Sequence, residues 1–174
     1  MPLAGGSTGG RHFLQIPGPT NVPDRVLRAM DHPTIDHRGP TFAALGKAVL
    51  EAVKAPFGTS QPVVVYPASG TGAWEAALTN TLSPGDRVLC FETGHFATLW
   101  QEMAGRLGLR VDFVPGDWRH GVPPEAVQER LSADTGHEIK AVMVVHNETS
   151  TGVTSRVGDV RTAIDSAGHP ALLL

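Results

Sequence analysis

Three short stretches of this sequence gather residue types suited to small-ligand chemistry. In Ser69-Gly70-Thr71-Gly72, two hydroxyls and two glycines separate the β-branched run PVVVY, residues 62–66, from a stretch with helical character near residues 72–82. Backbone N–H groups at a helix N-terminus lack intrahelical partners and lie at the positive end of the helix dipole, so a phosphate suits such a loop. Ser69 and Thr71 add hydroxyl donors, and Gly70 and Gly72 are expected to supply backbone conformations closed to larger residues. The tetrapeptide is neither GxxxxGK[ST] nor GxGxxG, which removes a Walker loop and the dinucleotide fingerprint; a plain helix cap is the competing reading.

The second stretch, ETGHFATLW, places Phe96 at a helix start, from which its ring can stack on a planar ligand; the competing reading is a core residue. His95 beside it has no partner identifiable from sequence and reads as a surface or packing residue. The third, VVHNETSTGV, packs six polar residues between an apolar strand and Gly152, and competes with a Ser/Thr-rich turn whose glycine has positive φ. The eight histidines show no HxH, HExxH or Cys–His spacing, so no metal site is expected.

These stretches need elements to position them. Apolar runs PVVVY, RVLCF, RVDFV, IKAVMVV and ALLL alternate with helical stretches near residues 72–82, 96–107, 123–133 and 157–167. The runs lack strict polar alternation, as strands covered on both faces do, and predict an α/β fold with a mainly parallel sheet and flanking helices. Ligands in such sheets bind at the carboxyl ends of the strands, where all three stretches fall. Upstream, PGPTNVP reads as extended or turning. One helix is predicted after Pro23 and a longer one through TFAALGKAVLEAVKAPFG, ended by Pro56 and Gly58. The organisation expected is a flexible arm over 1–16, an extended segment with helices over 17–60, and an incomplete α/β domain over 61–174. ALLL reads as a strand begun and unfinished, so a truncated chain is expected.

Composition narrows the function. The 174 residues are 41% hydrophobic, and the mean hydropathy of −0.06 is that of a water-soluble globular chain. A net charge of −3 without long charge blocks gives no footprint for nucleic acid or an anionic membrane. The N-terminus has no signal-peptide pattern, and no apolar stretch nears the roughly 20 residues that span a bilayer. A single cysteine, Cys90, excludes an intramolecular disulfide framework and fits a reducing cytoplasm, with the thiol reading as a buried strand residue.

Taken together, PGPTNVP, DHRGPTF, SGTGAWEAAL, SPGDRVL, ETGHF and HNETSTGV resemble the N-terminal half of a class V aminotransferase. The resemblance is nearest to the serine–glyoxylate and alanine–glyoxylate group and runs from Pro17 to Leu174. It implies the first part of the large domain of the aspartate-aminotransferase type fold (fold type I), a homodimer, and pyridoxal 5′-phosphate as cofactor. It implies that Ser69, Gly70 and Thr71 hold the cofactor phosphate, that Phe96 stacks on the pyridine ring, and that Thr149 lies near the ring's 3-oxygen. Pro19, Thr20, Asn21, His37 and Arg38 resemble residues of the site entrance or dimer contact. The implied reaction moves an amino group from a small amino acid, serine or alanine, to glyoxylate or a similar keto acid.

The Schiff-base lysine and the aspartate that pairs with the pyridine nitrogen are expected beyond Leu174; Lys47, Lys54 and Lys140 fall in segments that do not match. The parent is therefore expected to be an enzyme and the 174-residue chain alone inactive. Two alternatives stay open: a noncatalytic α/β module binding a phosphorylated ligand or a partner chain, and a related lyase such as a cysteine desulfurase, against which Cys90 offers no mobile nucleophile.

Overall fold

The computed structural model describes residues 13–16 and 18–174, so the first twelve positions of the expected arm lie outside the described residues. The chain divides into two compact units between Tyr66 and Pro67. In the N-terminal unit, α1 (Asp24–Met30) starts directly after Pro23, whose φ of −58° suits a helix entry. The second helix, α2 (Pro40–Ala52), has proline in its first turn. It closes before Pro56: residues 53–58 run on as turns, and Gly58 takes φ +57°. Neither helix buries a residue, and Phe42, Leu45 and Val49 leave an apolar face exposed.

The run at 62–66, expected to be a strand, has no ladder partner among the described residues and is not one. A β-prone sequence becomes a strand only when a neighbour takes its N–H and C=O groups. Here Val64, Val65 and Tyr66 stay exposed.

In the second unit the alternation follows the sequence pattern to within two residues at most helix and strand ends. Its elements are α3 (Gly70–Thr81), β1 (Arg87–Phe91), α4 (His95–Arg106), β2 (Arg110–Val114), α5 (Pro124–Ala133), β3 (Ile139–Met143), β4 (Asn147–Glu148), β5 (Val153–Thr154), α6 (Val157–Ser166) and β6 (Leu172–Leu173). The main sheet has the order β2-β1-β3-β6 and every pairing in it is parallel. The pleat sends Leu89 and Phe91 of β1 into a core with Val127 and Leu131 of α5 and Val160 and Ile164 of α6. Val88 and Cys90 enter a second core with Leu78 of α3 and Trp100 and Ala104 of α4. Helices therefore cover both faces, and continuous apolar strands are what such a three-layer arrangement requires. Each fully buried leucine or valine, such as Leu89 or Val88, contributes on the order of 1.5–3 kcal/mol.

The strand order reverses once after β2. From β1 the chain moves to β2 on one side, then crosses to place β3 on the other. Loops leaving the carboxyl ends of β1 and β3 flank this switch point, the place where ligands bind in open α/β sheets.

Candidate functional site

Two loops flank the switch point, residues 92–94 after β1 and 144–152 after β3. The first enters α4, whose leading amides need acceptors, yet its N-cap is Gly94 and makes no side-chain cap. The acceptors come from the other loop. Glu148 Oε1 receives the Phe96 N–H at 3.3 Å and Oε2 the Ala97 N–H at 3.0 Å, while the His95 N–H donates to Ser150 Oγ at 2.9 Å. Ser150 in turn donates its hydroxyl (2.7 Å) and its amide (3.2 Å) to Glu148 Oε1.

Glu148 is only 1% exposed. Burial, the largest influence, raises its pKa, but the bonds from the Ser150 hydroxyl and the Ala97, Ser150 and Phe96 amides together outweigh it, and the carboxyl sits below its ordinary value. Gly94 makes room: a Cβ there would lie 2.5 Å from Glu148 Cγ and 2.7 Å from Ser150 Oγ.

The second loop is itself shaped by the β4–β5 ladder, Asn147 opposite Thr154 and Glu148 opposite Val153. Gly152 turns it with φ +78° and donates to Glu148 O at 2.8 Å. Thr151 Oγ1 adds a tie to Thr93 O at 3.3 Å. Thr149 is left exposed between the two anchored residues Glu148 and Ser150.

A third segment joins through aromatic contacts. The half-buried Phe96 meets Trp74 of α3 edge-on, ring centroids 6.2 Å apart, and Trp74 stacks on Trp100 of α4 at 5.1 Å. This packs the N-terminal half of α3 beside the start of α4. The N-cap of α3 is Ser69, whose hydroxyl makes no cap bond; the amides of Gly70 and Thr71 have no acceptor among the described residues. The expectation for the two glycines needs correction. Neither takes positive φ. Gly72 is small because a Cβ there would sit 2.8 Å from Ala68 Cβ, whereas a Cβ at Gly70 meets nothing within 4 Å and leaves the first turn open to an approaching group.

The residues singled out in the sequence thus fall in two places. Ser69, Gly70 and Thr71 start α3, Phe96 is the second residue of α4, and Thr149 tips the loop clamped to it. Pro19, Thr20, Asn21, His37 and Arg38 belong to the N-terminal unit, where Asn21 Oδ1 accepts from the Leu14 amide and the Arg38 amide donates to Asp36 Oδ1. Sequence reasoning missed Glu148, Gly94, Ser150 and Trp74. The signal available was a lone acid among hydroxyl residues in HNETSTG, with no Lys or Arg beside it. Cys90 is buried, and its burial pushes the thiol up to about 12, which leaves it without nucleophilic character.

An arrangement of free helix amides, hydroxyls and a partly exposed ring suits a planar, phosphorylated ligand. Known proteins resemble this chain over most of its length. Residues 12–173 match the family described as aminotransferase class-V. The chain is 56% identical over 165 residues to the serine–glyoxylate aminotransferase of Methylorubrum extorquens, covering 94% of this chain and 41% of that protein. It is 52% identical over 159 residues to the L-aspartate–glyoxylate aminotransferase of Paracoccus denitrificans, covering 91% and 40%. Among solved structures, the subgroup IV aspartate aminotransferase of Thermus thermophilus is similar with a TM-score of 0.81 at 26% identity, over 93% of this chain and 44% of that one. The chain spans about two fifths of the length of these curated relatives.

Proposed function

The chain belongs to the aminotransferase class-V family, and from that premise we propose that its full-length protein is an enzyme that transfers an amino group from a small amino acid, serine or alanine, to glyoxylate or a similar keto acid, with pyridoxal 5′-phosphate as cofactor. The sheet with helices on both faces is that of the fold type I aminotransferases. The observation that carries the reading is the meeting of three segments at Phe96: its ring leans on Trp74 of α3 and its amide is held by Glu148 of the 144–152 loop.

Ser69, Gly70 and Thr71 would hold the phosphate, through the unpaired amides of the first turn of α3 and two hydroxyls. The exposed part of Phe96 would stack on the ring and fix its plane. Thr149 would present its hydroxyl to the ring's 3-oxygen from a loop that cannot drift, because its neighbours on both sides are anchored. When bound, the cofactor would supply an aldehyde carbon that carries the amino group between donor and acceptor, and a ring that accepts electrons. The family's lysine is not matched by the three lysines here: Lys54 pairs with Glu51, Lys140 donates to His137 O at the start of β3, and Lys47 lies on α2.

The exposed apolar faces of α1 and α2 support a homodimer, and the single buried cysteine supports a cytoplasmic setting. No helix among the described residues is long and apolar enough to cross a membrane. The test is glycine formation from glyoxylate by the full-length protein, with serine, alanine and aspartate offered in turn. Glycine formation that is lost on cofactor removal and restored by pyridoxal phosphate is expected. Cofactor binding without glycine from any donor would instead favour a noncatalytic phosphate-ligand module.

A further inference from the structure

We propose that Glu148 is a positioning residue for the cofactor: with Ser150 and Gly94 it forms a clamp that sets Phe96 and Thr149 relative to one another. The proposal rests on the cofactor reading above. Helices are ordinarily capped by a Ser, Thr, Asp or Asn at their own N-cap, a local device that orders nothing else. α4 instead has glycine there and takes its acceptors from residues 51 to 55 positions away. The exchange of a local cap for a distant one adds nothing that α4 needs by itself. It does make the position of the loop at 148–150 and that of the first turn of α4 a single variable.

The three parts are mutually fitted. The space that a side chain at 94 would fill is taken by the Glu148 side chain and Ser150 Oγ. Ser150 uses its hydroxyl twice, accepting from the His95 amide and donating to Glu148 Oε1, so it completes the connection that the carboxylate begins. Glu148 is not available for proton transfer. It is buried, Oε1 accepts from the Phe96 amide and from both the amide and hydroxyl of Ser150, and Oε2 accepts from the Ala97 amide. What it does is hold Thr149 on one flank and Phe96 on the other, the two residues read as touching the cofactor ring from different loops. A preorganised contact of this kind strengthens binding because neither loop has to be ordered when the ligand arrives.

The test uses the full-length protein as wild type, Glu148→Gln, Gly94→Ala and Ser150→Ala. Three quantities are measured: the Kd for pyridoxal phosphate, the visible circular dichroism of the bound cofactor at saturation, and Tm. Glu148→Gln is expected to weaken cofactor binding about tenfold or more, since one acceptor becomes a donor facing amides, and to alter the circular dichroism even when the site is full. Gly94→Ala keeps the carboxylate but displaces it, and should give the same two changes. Ser150→Ala should give them in smaller measure and decides the matter if Glu148→Gln does not fold. Variants with lowered Tm but wild-type Kd and circular dichroism would overturn the proposal, leaving a cap that serves stability alone. A wild-type protein that binds no pyridoxal phosphate would overturn the cofactor reading and the clamp's role with it, a result read from the wild type before any variant is compared.

Discussion

At Glu148 the contest between desolvation and hydrogen bonding governs how the site responds to acid. The carboxyl is held below its ordinary value in the folded protein, so the stability it contributes is fully present above about pH 4.5 and is lost as pH falls through the depressed folded value. Thermal unfolding of the full-length protein followed from neutral to acidic pH should show a steeper acid limb for the wild type than for Glu148→Gln; parallel limbs would contradict this. Thr71 makes a different kind of contribution. If its hydroxyl donates to the phosphate, Thr71→Val should weaken cofactor retention by about 1.5–3 kcal/mol, measured by equilibrium dialysis, and an unchanged affinity would count against direct contact. Phe96 and the Ser69–Thr71 loop stood out in the sequence because each sits where strand and helix patterns meet, whereas Thr149 was singled out by the resemblance. Glu148 did not, since an acid in a polar loop reads as solvated, and its burial comes from amides some fifty positions away that no local pattern reveals.

Elements were legible where one physical rule sufficed. β1, β2 and β3 are continuous apolar runs because both faces of the sheet are covered, and the helices between them begin and end near where their periodicity does. The run at 62–66 obeys the same compositional rule and still forms no strand, because composition says what is capable of pairing and not what it pairs with. The β4–β5 ladder failed to show for the opposite reason: its four residues are too few and too polar to make a period, and it exists because Gly152 closes the turn. That role predicts a cost. Gly152 has φ +78° and open space where a Cβ would go, so Gly152→Ala should lose about 1 kcal/mol from backbone strain alone, read from denaturant unfolding. A loss near zero would mean that the loop takes another shape.

For the whole molecule, the informative feature is the apolar surface of the N-terminal unit. Leu45, Val49 and Leu50 of α2 are about half exposed, along with Val26, Leu27 and Met30 of α1. Monomeric proteins rarely leave so many large apolar side chains of two helices uncovered. If a second copy covers them, sedimentation velocity of the full-length protein should give twice the polypeptide mass, and Leu45→Glu should shift it toward the monomer; an unaltered dimer in that variant would place the contact elsewhere. The central claim concerns the β1–β3 switch point, and a crystal structure of the full-length protein with pyridoxal phosphate tests it most directly. Phosphate oxygens are expected within about 3 Å of the Ser69 to Thr71 donors, with the pyridine ring lying flat against Phe96. A phosphate held by another part of the chain, with the ring away from Phe96, would contradict the account.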